Sequence, residues 1–136
     1  ISTNPENHQK MVQVRQAKIE QVANQIPLLE VQGNRDSDTL LVGWGSTEGH
    51  LHAAANELGC ALAHFNYISP LPKNTEEVLR QYKRIVVCEL NSGQFAAYLR
   101  SKIAGIALEQ YNEMTAQPFA VDRIIAAVNK NNKGFI

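Results

Sequence analysis

LLVGWGSTEG, residues 40–49, is an apolar run that ends on glycines and passes straight into residues able to start a helix. Leu40, Leu41 and Val42 place apolar side chains on both faces of an extended segment. A strand without a polar face has to be covered from both sides, as inner strands of parallel sheets are. Gly45 permits a sharp turn at the strand end, and Ser46 or Thr47 can cap the next helix. The spacing predicts a strand over 39–45 and a helix over 47–58, with Leu51, Ala55 and Leu58 facing inward and Gly59 stopping it.

The same strand-to-helix step recurs outward from this stretch. ALAHFNYI (61–68) and RIVVCEL (84–90) read as buried strands, and GIALEQYN supplies another near 105–111. Asn74 and Glu77 have the spacing of a capping box that opens a short helix reaching Tyr82. NSGQ leads into a helix with Phe95, Leu99 and Ile103 on one face. A last helix begins near Phe119 and carries Val121, Ile124, Ile125 and Val128. Upstream, LLEVQG gives a short strand over 28–32. Before it, Asn4, Pro5 and Glu6 suit a helix start. Met11, Val12, Ile19, Val22, Ala23 and Ile26 recur along one face of that helix, and Pro27 ends it. Alternating strands and helices imply parallel strands, right-handed crossovers and helices on both faces. The expected fold class is therefore α/β, a three-layer αβα sandwich. Residues 1–27 form a helix leading into the domain, 28–130 the α/β domain itself, and 131–136 a polar tail that frays.

Composition narrows the function classes. The 136 residues suit one hydrophobic core. Lys plus Arg number 13, as do Asp plus Glu, so the formal net charge is zero. A nucleic-acid binder needs a surplus of cations, and so does a polybasic membrane anchor. No apolar run approaches the roughly 20 residues that span a bilayer. The opening ISTNPENH shows neither a signal-peptide pattern nor an initiator methionine, and the expectation is a piece of a longer chain. Cys60 and Cys88 have no partners at metal-ligand spacing and read as buried free thiols in a reducing cytoplasm.

In open α/β sheets, ligands bind beyond the carboxyl ends of the strands. GWGSTEG, ISPLPKN and ELNSGQ leave such ends. Gly43, Gly45 and Gly49 give G-x-G-x-x-x-G, one residue longer than the dinucleotide fingerprint. The next strand ends in Asn66, Tyr67 and Ile68 without an acid for a ribose, and Glu48 in the first helical turn opposes a phosphate. A glycine-lined corner is the preferred reading; a nucleotide- or coenzyme-A-binding module using the 43–49 loop is the alternative. Glu89 at its strand end reads as a carboxylate bonded to nearby backbone amides, with Asn91 or Ser92 able to cap the next helix. His50 and His52 point apart on a helix, His64 lies in mid-strand, and His8 has no ligand spacing to another histidine. Trp44 is a packing or interface anchor. No residue is nominated as catalytic, and none as a metal ligand.

ENHQKMVQVRQAKIEQVANQIPLLEV, LLVGWGSTEG, YISPLPKN, CELNSGQFAAYLR and QPFAVDRI follow one another in that order. Together they resemble the C-terminal domain of the alpha subunit of 2-oxoacid:ferredoxin oxidoreductases, most closely the 2-oxoglutarate type, over residues 4 to about 128. The resemblance implies a transketolase C-terminal-domain-like fold. Its five-stranded sheet is mostly parallel, with an antiparallel edge strand that would be LLEVQG here. It implies an enzyme that converts a 2-oxoacid and coenzyme A to acyl-CoA, carbon dioxide and reduced ferredoxin. Thiamine diphosphate, magnesium and iron–sulfur clusters would serve the whole enzyme, with no cofactor bound by this domain. The implied partners are the pyrimidine-binding domain of the same chain, the beta subunit and, indirectly, ferredoxin, in the cytoplasm. On this reading Trp44, Ser46, Thr47, Glu48, Glu89, Asn91, Ser92 and Gln94 are interface residues of a non-catalytic assembly domain. Glu113 and Ala116 stand where the family usually has a lysine and a glycine before Pro-Phe. The lost positive charge argues against a phosphate or coenzyme A contact by that loop.

Overall fold

The computed structural model describes residues 15, 18, 21, 22, 24–90, 93–113 and 121–133. The apolar run at its centre is a strand, β2 (Thr39–Trp44), buried from Leu40 to Gly43. Around it the chain forms β1 (Val31–Gly33), α1 (Glu48–Leu58), β3 (Ala61–Phe65) and α2 (Thr75–Leu79). Next come β4 (Arg84–Glu89), α3 (Gln94–Lys102), β5 (Glu109–Asn112) and α4 (Val121–Lys133). The sheet order is β1-β3-β2-β4-β5. β2 pairs parallel with β3 and β4, and β5 parallel with β4. β1 is the antiparallel edge, with Val31 opposite Ala63.

Alternation along the strands builds two cores. Leu40, Val42, Ala63, Phe65, Ile85 and Val87 face α2 and α3, meeting Leu79, Phe95 and Leu99. Leu41, Leu62, Val86 and Cys88 face α1 and α4, meeting Leu51, Ala55, Ile124 and Val128. This is the expected three-layer sandwich. Gly43 is what lets α1 lie close: a Cβ there would run into Leu51 and crowd Thr47 Oγ1 at 3.0 Å. At the other end of the sheet, Arg84 clamps β4, β5 and α4 together. Its guanidinium is bidentate to Glu109 at 2.6 and 3.0 Å and donates to the Val128 carbonyl at 2.8 Å.

Element boundaries differ from the sequence reading for identifiable reasons. The edge strand lies at 31–33 instead of 28–32. Asn74 takes both backbone groups of Leu29: its Oδ1 accepts the Leu29 N–H at 2.8 Å, and its Nδ2 donates to the Leu29 carbonyl at 3.0 Å. Leu29 is thereby withdrawn from the ladder. The same bonds correct the capping-box reading, since the Asn74 side chain makes no cap bond to α2. α2 stops at Leu79, and Tyr82 turns inward to donate its hydroxyl to the Arg35 carbonyl at 3.1 Å. β3 ends at Phe65, level with Trp44, its last partner on β2. β5 starts at Glu109 instead of 105 because Gly105, at φ 72°, makes a turn. α4 stays helical through Lys133, beyond the point where fraying was expected. Residues 15, 18, 21, 22, 24 and 25 are helical, and that helix ends ahead of Pro27. Its start at Asn4, Pro5 and Glu6, and the Phe119 start of the last helix, lie outside the described residues.

Leu41 is fully buried between the sheet and the α1–α4 layer. Leu41→Ala is expected to lower unfolding free energy by about 2–5 kcal/mol, read from urea denaturation. A loss below about 1 kcal/mol would mean that this face is not packed as described.

Candidate functional site

β2 and β4 are neighbours, yet the helices that follow them leave to opposite faces of the sheet. The crevice between their carboxyl ends is therefore the topological switch point, where open α/β sheets receive ligands. Trp44 ends one strand and Glu89 ends the other.

Glu89 fills the crevice. It is 1% exposed. One carboxylate oxygen accepts the Phe95 N–H at 2.6 Å, and the other accepts the Ala96 N–H at 3.0 Å. These are first-turn amides of α3, which have no partner within the helix and sit at its positive end. Trp44 Nε1–H adds a long bond of 3.4 Å to the same carboxylate. Gly93, at φ 92°, carries the chain into α3 while pressed against Gln110; a Cβ there would collide with the Gln110 side chain. Phe95 lies between Trp44 and Tyr98, with ring centroids 6.0 and 6.4 Å away, so the crevice wall is aromatic. A helix N-terminus in this position commonly holds a ligand anion. Here the anion is the protein's own. A diphosphate or an acidic substrate group would meet a buried carboxylate, and the residues present do not fit one.

The glycine corner is likewise an internal arrangement. Gly43 makes room for α1, and Gly45 turns at φ 72°. Gly49 has open space around its Cβ position, so nothing there requires glycine. Neither Ser46 nor Thr47 gives a side-chain cap to a helix. Instead the Thr47 hydroxyl donates to the Trp44 carbonyl at 3.1 Å. His64 Nε2–H donates to the Gly45 carbonyl at 2.9 Å, pinning the corner to β3. Its Nδ1 lies 3.5 Å from a Glu48 carboxylate oxygen and has no hydrogen-bond partner among the described residues.

Of the residues nominated from sequence, Trp44 and Glu89 end strands β2 and β4, Ser46 and Thr47 lie in the turn after β2, and Glu48 and Gln94 open α1 and α3, all at this strand-end edge; Thr47 and Glu89 are buried. Asn91 and Ser92 lie outside the described residues. His50 and His52 sit on α1 with no third ligand nearby, and no group of three His, Cys, Asp or Glu able to hold a metal occurs among the described residues. Sequence reasoning assigned no partners to Glu113. It is buried, bonded to the Tyr111 hydroxyl at 2.7 Å and paired with Arg123 at 3.4 Å, which ties β5 to α4. Ala116 lies outside the described residues. Both cysteines are buried free thiols. Burial pushes Cys60 up to about 11 and Cys88 up to about 12. Burial, then the bond to Glu113, pushes Tyr111 up to about 12. No helix among the described residues is long and apolar enough to cross a membrane.

Fold and site together define a three-layer α/β domain whose ligand crevice is closed by its own side chains. No family model matches the chain. Over 130 residues, 91% of the chain, it is 40% identical to the 2-oxoglutarate oxidoreductase subunit KorA of Mycobacterium tuberculosis, of which the match spans 19%. Over 140 residues it is 28% identical to the alpha subunit of 2-oxoacid:ferredoxin oxidoreductase 1 of Aeropyrum pernix, covering 94% of this chain and 22% of that protein. The 2-oxoglutarate:ferredoxin oxidoreductase from Magnetococcus marinus, solved with 2-oxoglutarate, coenzyme A and succinyl-CoA bound, shares the fold with a TM-score of 0.84 at 24% identity. That match covers 95% of this chain and 24% of that one. The chain is a homologue of a segment of 2-oxoacid:ferredoxin oxidoreductase alpha subunits, and it spans about a fifth of the length of the curated relatives it matches.

Glu89→Gln keeps the shape but puts an amide NH2 in place of one acceptor oxygen, opposite a backbone N–H donor. A loss of about 1–3 kcal/mol is expected, followed by urea unfolding with the fluorescence of the sole tryptophan, Trp44, as reporter. No change would show that the carboxylate is not the cap. The raised thiols and Tyr111 give a second expectation. The folded chain keeps protons there that the unfolded chain releases, so their contribution is intact below the ordinary thiol value of 9.0 and is lost toward about 12. The urea midpoint should fall as pH rises through this window. The fall should be shallower in a Cys60→Ala/Cys88→Ala variant, whatever its stability at neutral pH; equal slopes would refute the assignment.

Proposed function

We propose that the chain is the non-catalytic C-terminal assembly domain of the alpha subunit of a thiamine-diphosphate-dependent 2-oxoacid:ferredoxin oxidoreductase of the 2-oxoglutarate type. The enzyme would convert a 2-oxoacid and coenzyme A to acyl-CoA, carbon dioxide and reduced ferredoxin in the cytoplasm. The observation that carries this reading is the Glu89 carboxylate filling the switch point. A domain closed in this way offers no anion site there for a cofactor or substrate. Thiamine diphosphate, magnesium and the iron–sulfur clusters then belong to other parts of the enzyme. The pyrimidine-binding domain of the same polypeptide and the beta subunit are the partners, with ferredoxin reached through them.

The surface at this edge supports a packing role. Leu90 is 38% exposed beside Trp44, Gly45 and Ser46. Next to it an apolar hollow of about 230 Å³ is lined by Trp44, Ile68, Phe95 and Tyr98. Exposed apolar patches ringed by polar groups mark surfaces that another protein covers. Trp44, Ser46, Thr47, Glu48, Glu89 and Gln94, with Asn91 and Ser92, are the proposed rim. The rival reading, a nucleotide- or coenzyme-A-binding module, has to place an anion against Glu48 or Glu89. The coenzyme A of the Magnetococcus marinus enzyme is compatible with binding elsewhere, since this chain spans 24% of it.

Calorimetric titration of the 136-residue chain with magnesium thiamine diphosphate, coenzyme A and NAD separates the two. No micromolar binding and no 2-oxoglutarate-dependent ferredoxin reduction is the expected result. Micromolar affinity for any of these ligands, or turnover by the chain alone, would displace the assembly reading.

A further inference from the structure

A second cleft, of about 390 Å³, opens on the β1 side of the glycine corner. His64, Glu30, Glu48, Asn66, Leu28 and Tyr67 are among its walls. Its chemistry is set by one hydrogen bond. The Gly45 carbonyl can only accept, so His64 Nε2 carries the proton. In the neutral ring Nδ1 is then a bare acceptor. The side chain is 3% exposed, and Nδ1 is buried without a hydrogen-bond partner among the described residues. The charged group nearest to it in this cleft is the Glu48 carboxylate at 3.5 Å, a second acceptor. With the ring in that form, two acceptors face each other without a donor between them among the described residues, and an unsatisfied buried acceptor costs about 1–3 kcal/mol.

The charge of the cleft favours a cationic donor. The cleft brings two carboxylates, Glu30 and Glu48, and no Lys or Arg among the described residues that line it. Glu48 is half exposed, so its side chain can swing to admit a group to Nδ1. At the mouth, Leu28 is 61% and Tyr67 48% exposed, offering apolar surface to an aliphatic stem. A metal ion would want a third ligand, and none of the described His, Cys, Asp or Glu residues completes such a set. A guanidinium presents donors on separate nitrogens of one rigid plane, matching two acceptors held side by side.

We infer that this cleft receives an arginine side chain of the neighbouring polypeptide, its guanidinium bridging Glu48 and His64 Nδ1. The inference rests on the assembly reading and gives that interface a specific polar anchor. The Glu30 carboxylate adds to the attraction, and Leu28 and Tyr67 cover the stem.

Long-range 1H–15N spectra of the 136-residue chain test the first step. The His64 ring should show a protonated Nε2 and a bare Nδ1, and titration with N-acetyl-arginine amide should shift the Nδ1 resonance saturably. The neutral isostere N-acetyl-citrulline amide should not. A doubly protonated ring in the free chain at neutral pH, or equal responses to the two probes, would overturn the inference. In the second arm, the chain is mixed with the remaining parts of the enzyme. Glu48→Gln should weaken association by about tenfold or more while leaving the chain's own urea midpoint in place. If the complex forms and Glu48→Gln matches the wild type, the arginine site is refuted and the assembly reading stands. If the wild-type chain forms no complex, the assembly reading fails and the inference falls with it.

Discussion

A carboxylate buried at the end of a central strand has to be met by donors, and the Glu89 side chain is met by the first amides of α3. Most of the strand-end edge depends on that bond. An ion without water costs several kcal/mol unless hydrogen bonds replace its hydration. The amides of Phe95 and Ala96 supply them only if α3 begins where it does, which the left-handed turn at Gly93 allows, with no Cβ to meet the Gln110 side chain on β5. Phe95 is thereby placed between Trp44 and Phe65, with 5.1 Å between its centroid and that of Phe65. The polar lock and the aromatic core of that face are thus one construction.

How much of this can be read from residues alone varies with the physics involved. β2 and β4 are legible because apolar side chains on both faces leave no option but a covered strand. α1 is legible because Leu51, Ala55 and Gly59 give both a face and a stop. The edge strand is misplaced because its limit is set by Asn74, which is 45 residues away from Leu29. A side chain that can cap its own helix and one that can staple a distant segment look the same in sequence. The partners of Glu89 were half legible: a strand-end acid beside Gly93 points to local amides. The bond to Trp44 was hidden, because it depends on β2 and β4 being neighbours, and strand order is a property of the crossovers.

The glycine motif shows why spacing misleads. Gly43 answers a packing demand from Leu51, Gly45 answers a backbone demand, and Gly49 answers none. A phosphate loop would need its glycines for one shared purpose, the close approach of backbone amides to a ligand. Here the corner instead turns the Gly45 carbonyl toward His64 Nε2, presenting an acceptor where an anion site would present a donor. Glu113 makes a parallel point. Its carboxylate is engaged by Tyr111 and Arg123, so the local charge is balanced within the fold.

Closing the switch point changes what the fold can be used for. An open crevice lets a ligand supply the charge that the helix N-terminus favours, and the site then responds to the ligand. With Glu89 in place that position is taken by the protein itself, and the apolar parts of the edge, Leu90 and the Trp44–Tyr98 hollow, remain available to a neighbour. A neighbour pressed onto that surface removes more water from around the Trp44–Glu89 bond. Lower local dielectric strengthens the bonds already made to the carboxylate and raises the cost of breaking them. Docking and internal order would then reinforce each other, as the proposed assembly role requires.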